Sequence, residues 1–220
     1  KITGFINCPV NKKEVFKNKN FGVTEFLAKK LGVLGKETML IYNKDLSVSP
    51  ITTHIKLKKV PGEISKKNIV NKLLTINKFF IKQFKTKPKI GVIGLNPHND
   101  ELRKNSEENK IIIPAINKLK KRNILVEGPI SPDTAFLNFK KKRFHVLVGM
   151  YHDQGHIPVK AIAFDRSINV SLGLPIIRTS VDHGTAFDIA GQGIANSGNL
   201  DAAIRMAVRL VGDSWSVEVK

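Results

Sequence analysis

Cysteine is nearly missing from this 220-residue chain. Cys8 stands alone, so no disulfide can form within it, and a reducing, cytoplasmic setting is expected. Long apolar runs are missing too. Stretches such as Ile111–Ile113 and Val146–Met150 fall far short of the roughly 20 residues a membrane helix needs. No charged-then-apolar leader is present, so no membrane partner is expected. Acidic residues are scarce, 18 against 37 Lys and Arg, for a formal net charge of +19. Such an excess invites a nucleic-acid partner. Stacking aromatics are few, however, with two Tyr and one Trp, and the cations are mostly lysines scattered along the sequence, as at Lys56–Lys59, Lys82–Lys89 and Lys118–Arg122. No specific nucleic-acid binding is expected, and the charge would help to attract a phosphorylated small molecule.

What is present is the raw material of an α/β fold. With 41% hydrophobic residues the chain can bury a sizeable core. Short apolar segments read as strands at Ile2–Ile6, Glu37–Tyr42, Leu46–Thr53, Lys89–Gly94, Ile124–Val126 and Val146–Met150. Helical spacing predicts helices over Thr24–Leu31 with Thr24 as N-cap, over Ser65–Phe84, over Glu107–Lys121 with an interruption near Pro114, and over Asp201–Leu210. Strands alternating with helices predict a largely parallel sheet. The chain starts at Lys1 with a strand almost at once, so an N-terminal portion is expected to be missing.

The stretch Val146–Gly193 concentrates the chemistry. It sets His152, Asp153, His156, Lys160, Asp165, Arg166, Arg178, Asp182, His183 and Asp188 among apolar runs and glycines. Polar residues just past a buried strand are where open α/β sheets place ligands. His54, His98 and His152 each follow a predicted strand. Parallel strands would bring them to one sheet edge, where three neutral imidazoles could hold a divalent metal. Spacing alone fits three unrelated histidines as well. Lys160, Arg166 and Arg178 supply cations near that edge, suited to phosphate or carboxylate, and Asn169 could hydrogen-bond a ligand or end a turn. Asp182–Gly191 reads as a loop opening a short helix, with glycine for close approach and a helix start for an anion. The GxGxxG fingerprint is not found between a strand and a helix, which disfavours a conventional dinucleotide fold.

MYHDQG at Met150–Gly155, GLNPH at Gly94–His98, GPISPDT at Gly128–Thr134 and GLPIIRTSVDHGTAFDIAG at Gly173–Gly191 resemble the 4-hydroxythreonine-4-phosphate dehydrogenase family. The resemblance runs from about Ile6 to about Leu210. It implies an α/β/α sandwich similar to isocitrate and isopropylmalate dehydrogenases, with the active site in a cleft between two subdomains. Residues 1–10 and 180–220 would be the remnant of the first, cofactor-side subdomain. Residues 11–179 would form the second, carrying metal, substrate and dimer contacts. It also implies a homodimer with shared active sites.

By the same resemblance, His54, His98 and His152 match the metal ligands, for one zinc, magnesium, manganese or cobalt ion per site. Thr24, Lys160, Asn169 and Arg178 match substrate-binding positions. Asp133, Asp153 and Lys160 are the candidates for catalytic proton transfer. His183, Gly184, Thr185, Ala186 and Asp188 would lie near NAD or NADP. The implied reaction oxidises 4-phosphohydroxy-L-threonine to a 3-oxo acid, which decarboxylates to 3-amino-2-oxopropyl phosphate, a step of pyridoxine 5'-phosphate biosynthesis. Two alternatives stand beside it. DQGHIPVK resembles relatives acting on D-threonate or D-erythronate 4-phosphate. Val23, where the family has His before Thr24, and the expected missing start allow a truncated, inactive relative that only binds a ligand or partner.

Overall fold

The computed structural model describes residues 4–11, 14–15, 22–137, 139–163 and 167–212, with backbone alone at 140, 142 and 163. Eight strands in the described residues build a single sheet. They are β1 (Gly4–Asn7), β2 (Thr38–Tyr42), β3 (Ser47–Pro50), β4 (Ile90–Ile93), β5 (Val126–Ile130), β6 (Val146–Gly149), β7 (Ile168–Leu172) and β8 (Ile177–Val181), lying side by side in the order β1-β8-β7-β2-β3-β6-β4-β5. The main helices are α1 (Val23–Lys30), α2 (Lys66–Phe84), α3 (Ile113–Lys120), α4 (His152–Ala163) and α5 (Gly198–Gly212).

The sheet is mixed, which corrects the expectation of a largely parallel one. β3, β6, β4 and β5 run parallel, as do β1 and β8, but β8–β7, β7–β2 and β2–β3 pair antiparallel. Two of the three reversals come from tight connections. Only Asn43–Leu46 joins β2 to β3 and only Gly173–Ile176 joins β7 to β8, links too short for the crossover that a parallel pair requires.

Apolar residues on both faces of the sheet dictate a helix layer on each side. In β2, Leu40 and Ile41 are neighbours and both fully buried, yet they belong to different core clusters, one per face. One face packs Ile69, Leu73 and Ile76 of α2, Ile116 and Leu119 of α3, and Ala203, Met206 and Leu210 of α5. The other packs Val159 of α4 with Met39, Val48 and Leu147. This is the expected α/β/α arrangement. The boundary expected between residues 179 and 180 falls inside β8, and the one sheet runs through both sides of it.

Several elements differ locally from the sequence expectation. α2 starts as expected, with the Ser65 hydroxyl accepting the Asn68 N–H at 3.1 Å. α1 is capped by Gly22; Thr24 sits inside its first turn, buried, because its hydroxyl has partners across the sheet. β5 begins at Val126, where the expected strand ended, so Gly128-Pro129-Ile130 is sheet and not loop. The helix expected over Glu107–Lys121 divides into a π-helical turn, Glu108–Ile112, and α3, with Pro114 in the first turn of the latter.

Residues 152–163, for which no helix was expected, form α4 despite Gly155 and Pro158. Asp153 favours the helix start electrostatically. Gln154 clips that start to the sheet: its Oε1 accepts Met150 N–H at 2.7 Å and its Nε2 donates to Gly94 O at 2.7 Å. Gly155 lets the helix lie close on β3, where an added Cβ would stand 3.3 Å from Val48. Ile2, Thr3, Asp165 and Arg166 lie outside the described residues. Among the described residues no helix is long and apolar enough to cross a membrane.

Candidate active site

The antiparallel pair β7–β8 places polar side chains on one face by simple alternation. Ile168, Val170 and Leu172 go into the α2-side core, so Asn169 and Ser171 face the other way. Arg178 lies opposite Ser171 in the ladder, and its side chain meets the same polar cluster. Arg178 as a whole is 3% exposed. Nε and NH2 donate to Asn7 Oδ1 at 3.0 and 2.8 Å, and NH1 to Ser171 Oγ at 3.0 Å, with longer contacts of 3.4 Å to Thr24 Oγ1 and Asn169 Oδ1. Thr24 and Ser171 hydroxyls also meet at 3.1 Å.

Every partner of Arg178 among the described residues is neutral. Burial strips water from the cation and pulls its pKa down to about 10, against the pull of Glu25. A buried fork with hydroxyls and amides around it, and no carboxylate closing it, suits a phosphate or carboxylate ligand. Three expected substrate residues, Thr24, Asn169 and Arg178, thus come together. Asn7 and Ser171 were missed. The signal for Ser171 was a polar residue two positions from Asn169 in one strand, visible only once the strand is known; Asn7, at the end of β1, had no such signal.

The three candidate metal histidines follow three strands that run side by side and parallel, β3, β4 and β6. His54 and His152 are brought together, with ring centroids 5.4 Å apart. His152 also stacks on His156 at 3.7 Å, and His156 Nδ1 lies 2.9 Å from His152 O. His156 is 3% exposed; burial and its charged neighbours lower its pKa to about 4, so it is neutral at physiological pH. His98 opens a left-handed turn, Pro97–Leu102, and faces Asp133 across 4.0 Å. The buried Glu108 holds this loop, accepting Leu95 and Asn96 N–H at 2.8 Å each.

Among the described residues no group of three His, Cys, Asp or Glu converges closely enough to hold a metal. The donor chemistry nevertheless fits one. Imidazoles suit divalent cations, and the Nδ1 atoms of His54, His98 and His152 face Glu25, Asp133 and Asp153 respectively. Burial pushes the Glu25 carboxyl up, but His54, its own backbone and Thr53, which donates at 3.0 Å, outweigh that and hold it at about 2.

Lys160 is half-buried on α4, one turn beyond His156. Its charge is felt by Asp182, which leaves β8 with Oδ2 buried and without a hydrogen-bond partner. Desolvation raises the Asp182 pKa to about 6, against the pull of Lys160 and His183. Asp133, bonded to Ser131 at 2.6 Å, and Asp153, bonded to His152 Nδ1 at 2.7 Å, are both exposed. The expected cofactor loop is an open strap. His183 Nδ1 turns to Gly184 O at 2.9 Å, Thr185 is half-buried, Ala186 adopts φ 47°, and Asp188 lies in a single 3-10 turn, Phe187–Ile189.

A family model described as "Pyridoxal phosphate biosynthetic protein PdxA" matches residues 1–207. A 4-hydroxythreonine-4-phosphate dehydrogenase of Sulfurihydrogenibium sp. (strain YO3AOP1) is 43% identical, covering 96% of this chain and 66% of the relative. A D-threonate 4-phosphate dehydrogenase of Cupriavidus necator is 41% identical, over 96% of this chain and 64% of the relative. The crystal structure of 4-hydroxythreonine-4-phosphate dehydrogenase from Klebsiella pneumoniae superposes with a TM-score of 0.80 at 35% identity, over 94% of this chain and 64% of that one. Isocitrate dehydrogenase from Methylococcus capsulatus, at 15% identity and a TM-score of 0.62 over 94% of this chain and 68% of its own, shares the fold. The chain thus spans just under two thirds of the length of these dehydrogenase relatives.

Proposed function

The chain belongs to the pyridoxal phosphate biosynthetic protein PdxA family, and on that premise we propose that it serves a dehydrogenase of 4-phosphohydroxy-L-threonine. The observation that carries this reading is the buried guanidinium of Arg178. It is ringed by Asn7, Thr24, Asn169 and Ser171 in the same sheet whose neighbouring strands present His54 and His152. One end of such a site grips an anion and the other meets a hydroxyl.

Arg178, Thr24 and Asn169 bind the substrate's phosphate, and Lys160 adds a second cation. His54, His98 and His152 would hold the divalent metal, completed across a homodimer with shared sites. His183, Gly184, Thr185, Ala186 and Asp188 would line the nicotinamide cofactor. The chemistry supplied by bound NAD or NADP and a bound divalent ion (zinc, magnesium, manganese or cobalt) is hydride acceptance and acidification of the secondary hydroxyl. Lys160 passes one ammonium proton to the Asp182 carboxylate beside it and takes up the proton of that hydroxyl, so that it ends as the cation it began. The resulting 3-oxo acid loses carbon dioxide to give 3-amino-2-oxopropyl phosphate. Cys8, the lone cysteine, fits a cytoplasmic setting.

A second reading has its own support. The Cupriavidus relative is named for D-threonate 4-phosphate, and His156 is a buried imidazole directly behind His152. The test is NADH or NADPH production by the intact protein against 4-phosphohydroxy-L-threonine, D-threonate 4-phosphate and D-erythronate 4-phosphate, with and without added divalent metal. Metal-dependent turnover of the first compound, with the other two at least tenfold slower, supports the proposal. Preference for either sugar acid moves the assignment to the second reading. No turnover of any of them, with tight binding retained, identifies a relative that only binds.

A further inference from the structure

Six histidines occur in the sequence, and the Nδ1 atoms divide them into two sets. In His156 and His183, Nδ1 lies against a backbone carbonyl, and in His145 it accepts the Lys89 N–H at 3.0 Å. In His54, His98 and His152 the same atom faces a carboxylate: Glu25 Oε1 at 3.7 Å, Asp133 Oδ2 at 4.0 Å and Asp153 Oδ1 at 2.7 Å. These three are the histidines that follow the parallel strands β3, β4 and β6. The carboxylates come from three separate places: α1, the loop after β5, and the first turn of α4. No shared local motif produces the pattern.

An ionised carboxylate only accepts hydrogen bonds, so the nitrogen that faces it carries the proton. The proton on Nδ1 leaves the Nε2 lone pair free and fixes the direction in which it points. A ligating imidazole usually has its other nitrogen held by such an outer partner, which sets both tautomer and ring orientation. One of the three contacts is already a closed hydrogen bond. The other two, at 3.7 and 4.0 Å, are ion-pair contacts about 1 Å longer than a hydrogen bond.

We propose that Glu25, Asp133 and Asp153 are positioning residues, which hold His54, His98 and His152 as Nδ1–H tautomers and so leave each Nε2 free for a divalent metal. The proposal deepens the metal-dependent reading given above and rests on it. It gives Asp133 and Asp153 a task other than moving the substrate's proton, and it gives Glu25 a role of its own.

The test uses the full chain labelled with 15N-histidine. Long-range 1H–15N spectra of the metal-free protein should show Nδ1 protonated and Nε2 unprotonated for His54, His98 and His152. Titration with Co(II), followed by calorimetry and by the visible spectrum, gives the metal affinity. Asp153→Ala and Asp133→Ala alter exposed side chains, so the fold should be kept. Each should shift its own histidine toward the Nε2–H form and weaken Co(II) binding roughly 10–100-fold. Asp153→Asn and Asp133→Asn keep a carbonyl acceptor and should restore much of both, which loss of charge alone would not do. Glu25→Gln should act likewise on His54. Unchanged tautomers or unchanged affinity in the alanine variants, while the parent binds Co(II), would overturn the carboxylate assignment and leave the dehydrogenase reading standing. A parent chain that binds no Co(II) would overturn both.

Discussion

Ser171 and Arg178 face each other across the β7–β8 ladder, and the arginine donates to the serine hydroxyl at 3.0 Å. The pair fixes a cation under a polar roof, in a sheet position where an apolar residue would be the rule. Arg178 is 3% exposed, and a guanidinium is costly to bury unless something anionic repays the desolvation.

Arg178→Lys keeps the charge and loses the planar fork. Charge-assisted hydrogen bonds are worth about 1.5–3 kcal/mol each, so affinity for the phosphorylated substrate should fall roughly 10–100-fold. Calorimetric titration measures this directly. Ser171→Ala removes one neutral partner and should cost only a few-fold. Unchanged affinity in Arg178→Lys would remove the residue from the anion site.

The turn that sets this pair is the next point of failure. Gly173 has φ +79°, and a side chain there would run into the Lys36 carbonyl oxygen. Gly173→Ala should destabilise the protein by about 1–3 kcal/mol through the left-handed backbone alone, with the collision adding to it. Urea unfolding should show a lower midpoint with an unchanged slope. KM should rise with it, because the turn sets the register of Ser171 and Arg178. A midpoint equal to the parent's would show that the turn relaxes freely.

Glu108 is fully buried and serves the loop that carries His98. Its carboxylate takes the N–H groups of Leu95 and Asn96 at 2.8 Å and the Asn96 amide at 3.1 Å. Glu108→Ala leaves these donors without a partner, at about 1–3 kcal/mol for each buried group. The loop should loosen before the rest of the fold. Hydrogen exchange at Leu95 and Asn96 should quicken while Val148 stays protected. Equal protection in parent and variant would show that water replaces the carboxylate.

Much of this arrangement can be read in the sequence. The apolar runs that become β3, β4 and β6 stop just short of His54, His98 and His152, and three parallel neighbours then bring those ends to one edge. The long helix over α2 follows from Ile69, Leu73, Ile76 and Phe80 on one side. Strand direction is not legible in the same way, since nothing local to Thr38–Tyr42 says that it runs against its neighbours on both sides. β7 was missed because Asn169 can equally bind a ligand or end a turn; the polar character of Asn169 and Ser171 comes from the cluster they share with Arg178. α4 was missed because Gly155 and Pro158 argue against a helix. Glu108 is silent in sequence, since a glutamate on a helix usually faces water.

Asp182 gives a pH-dependent outcome. Its folded pKa is raised to about 6 from an ordinary 3.8. Between those values the folded state holds the proton more tightly than the unfolded one. The contribution to stability is therefore complete below about 3.8 and is lost as pH rises through about 6. Its size is at most about 3 kcal/mol, at roughly 1.4 kcal/mol per pKa unit. Asp182→Asn cannot ionise, so its unfolding midpoint relative to the parent should improve between pH 4 and pH 7.5. Two parallel midpoint-against-pH curves would rule out the raised carboxyl.

Three strand steps separate β8, which bears Arg178, from β3, which runs on to His54. At about 4.8 Å a step, the main chains stand roughly 14 Å apart, and that interval is held by backbone hydrogen bonds that no side-chain substitution alters. On the proposed reading, Arg178 and His54 are two grips on a substrate, mounted on a gauge of fixed width. Discrimination among phosphorylated acids of different length then falls to the reach of the arms alone, and a change of preferred substrate calls for a longer or shorter side chain at either end, with the sheet left as it is.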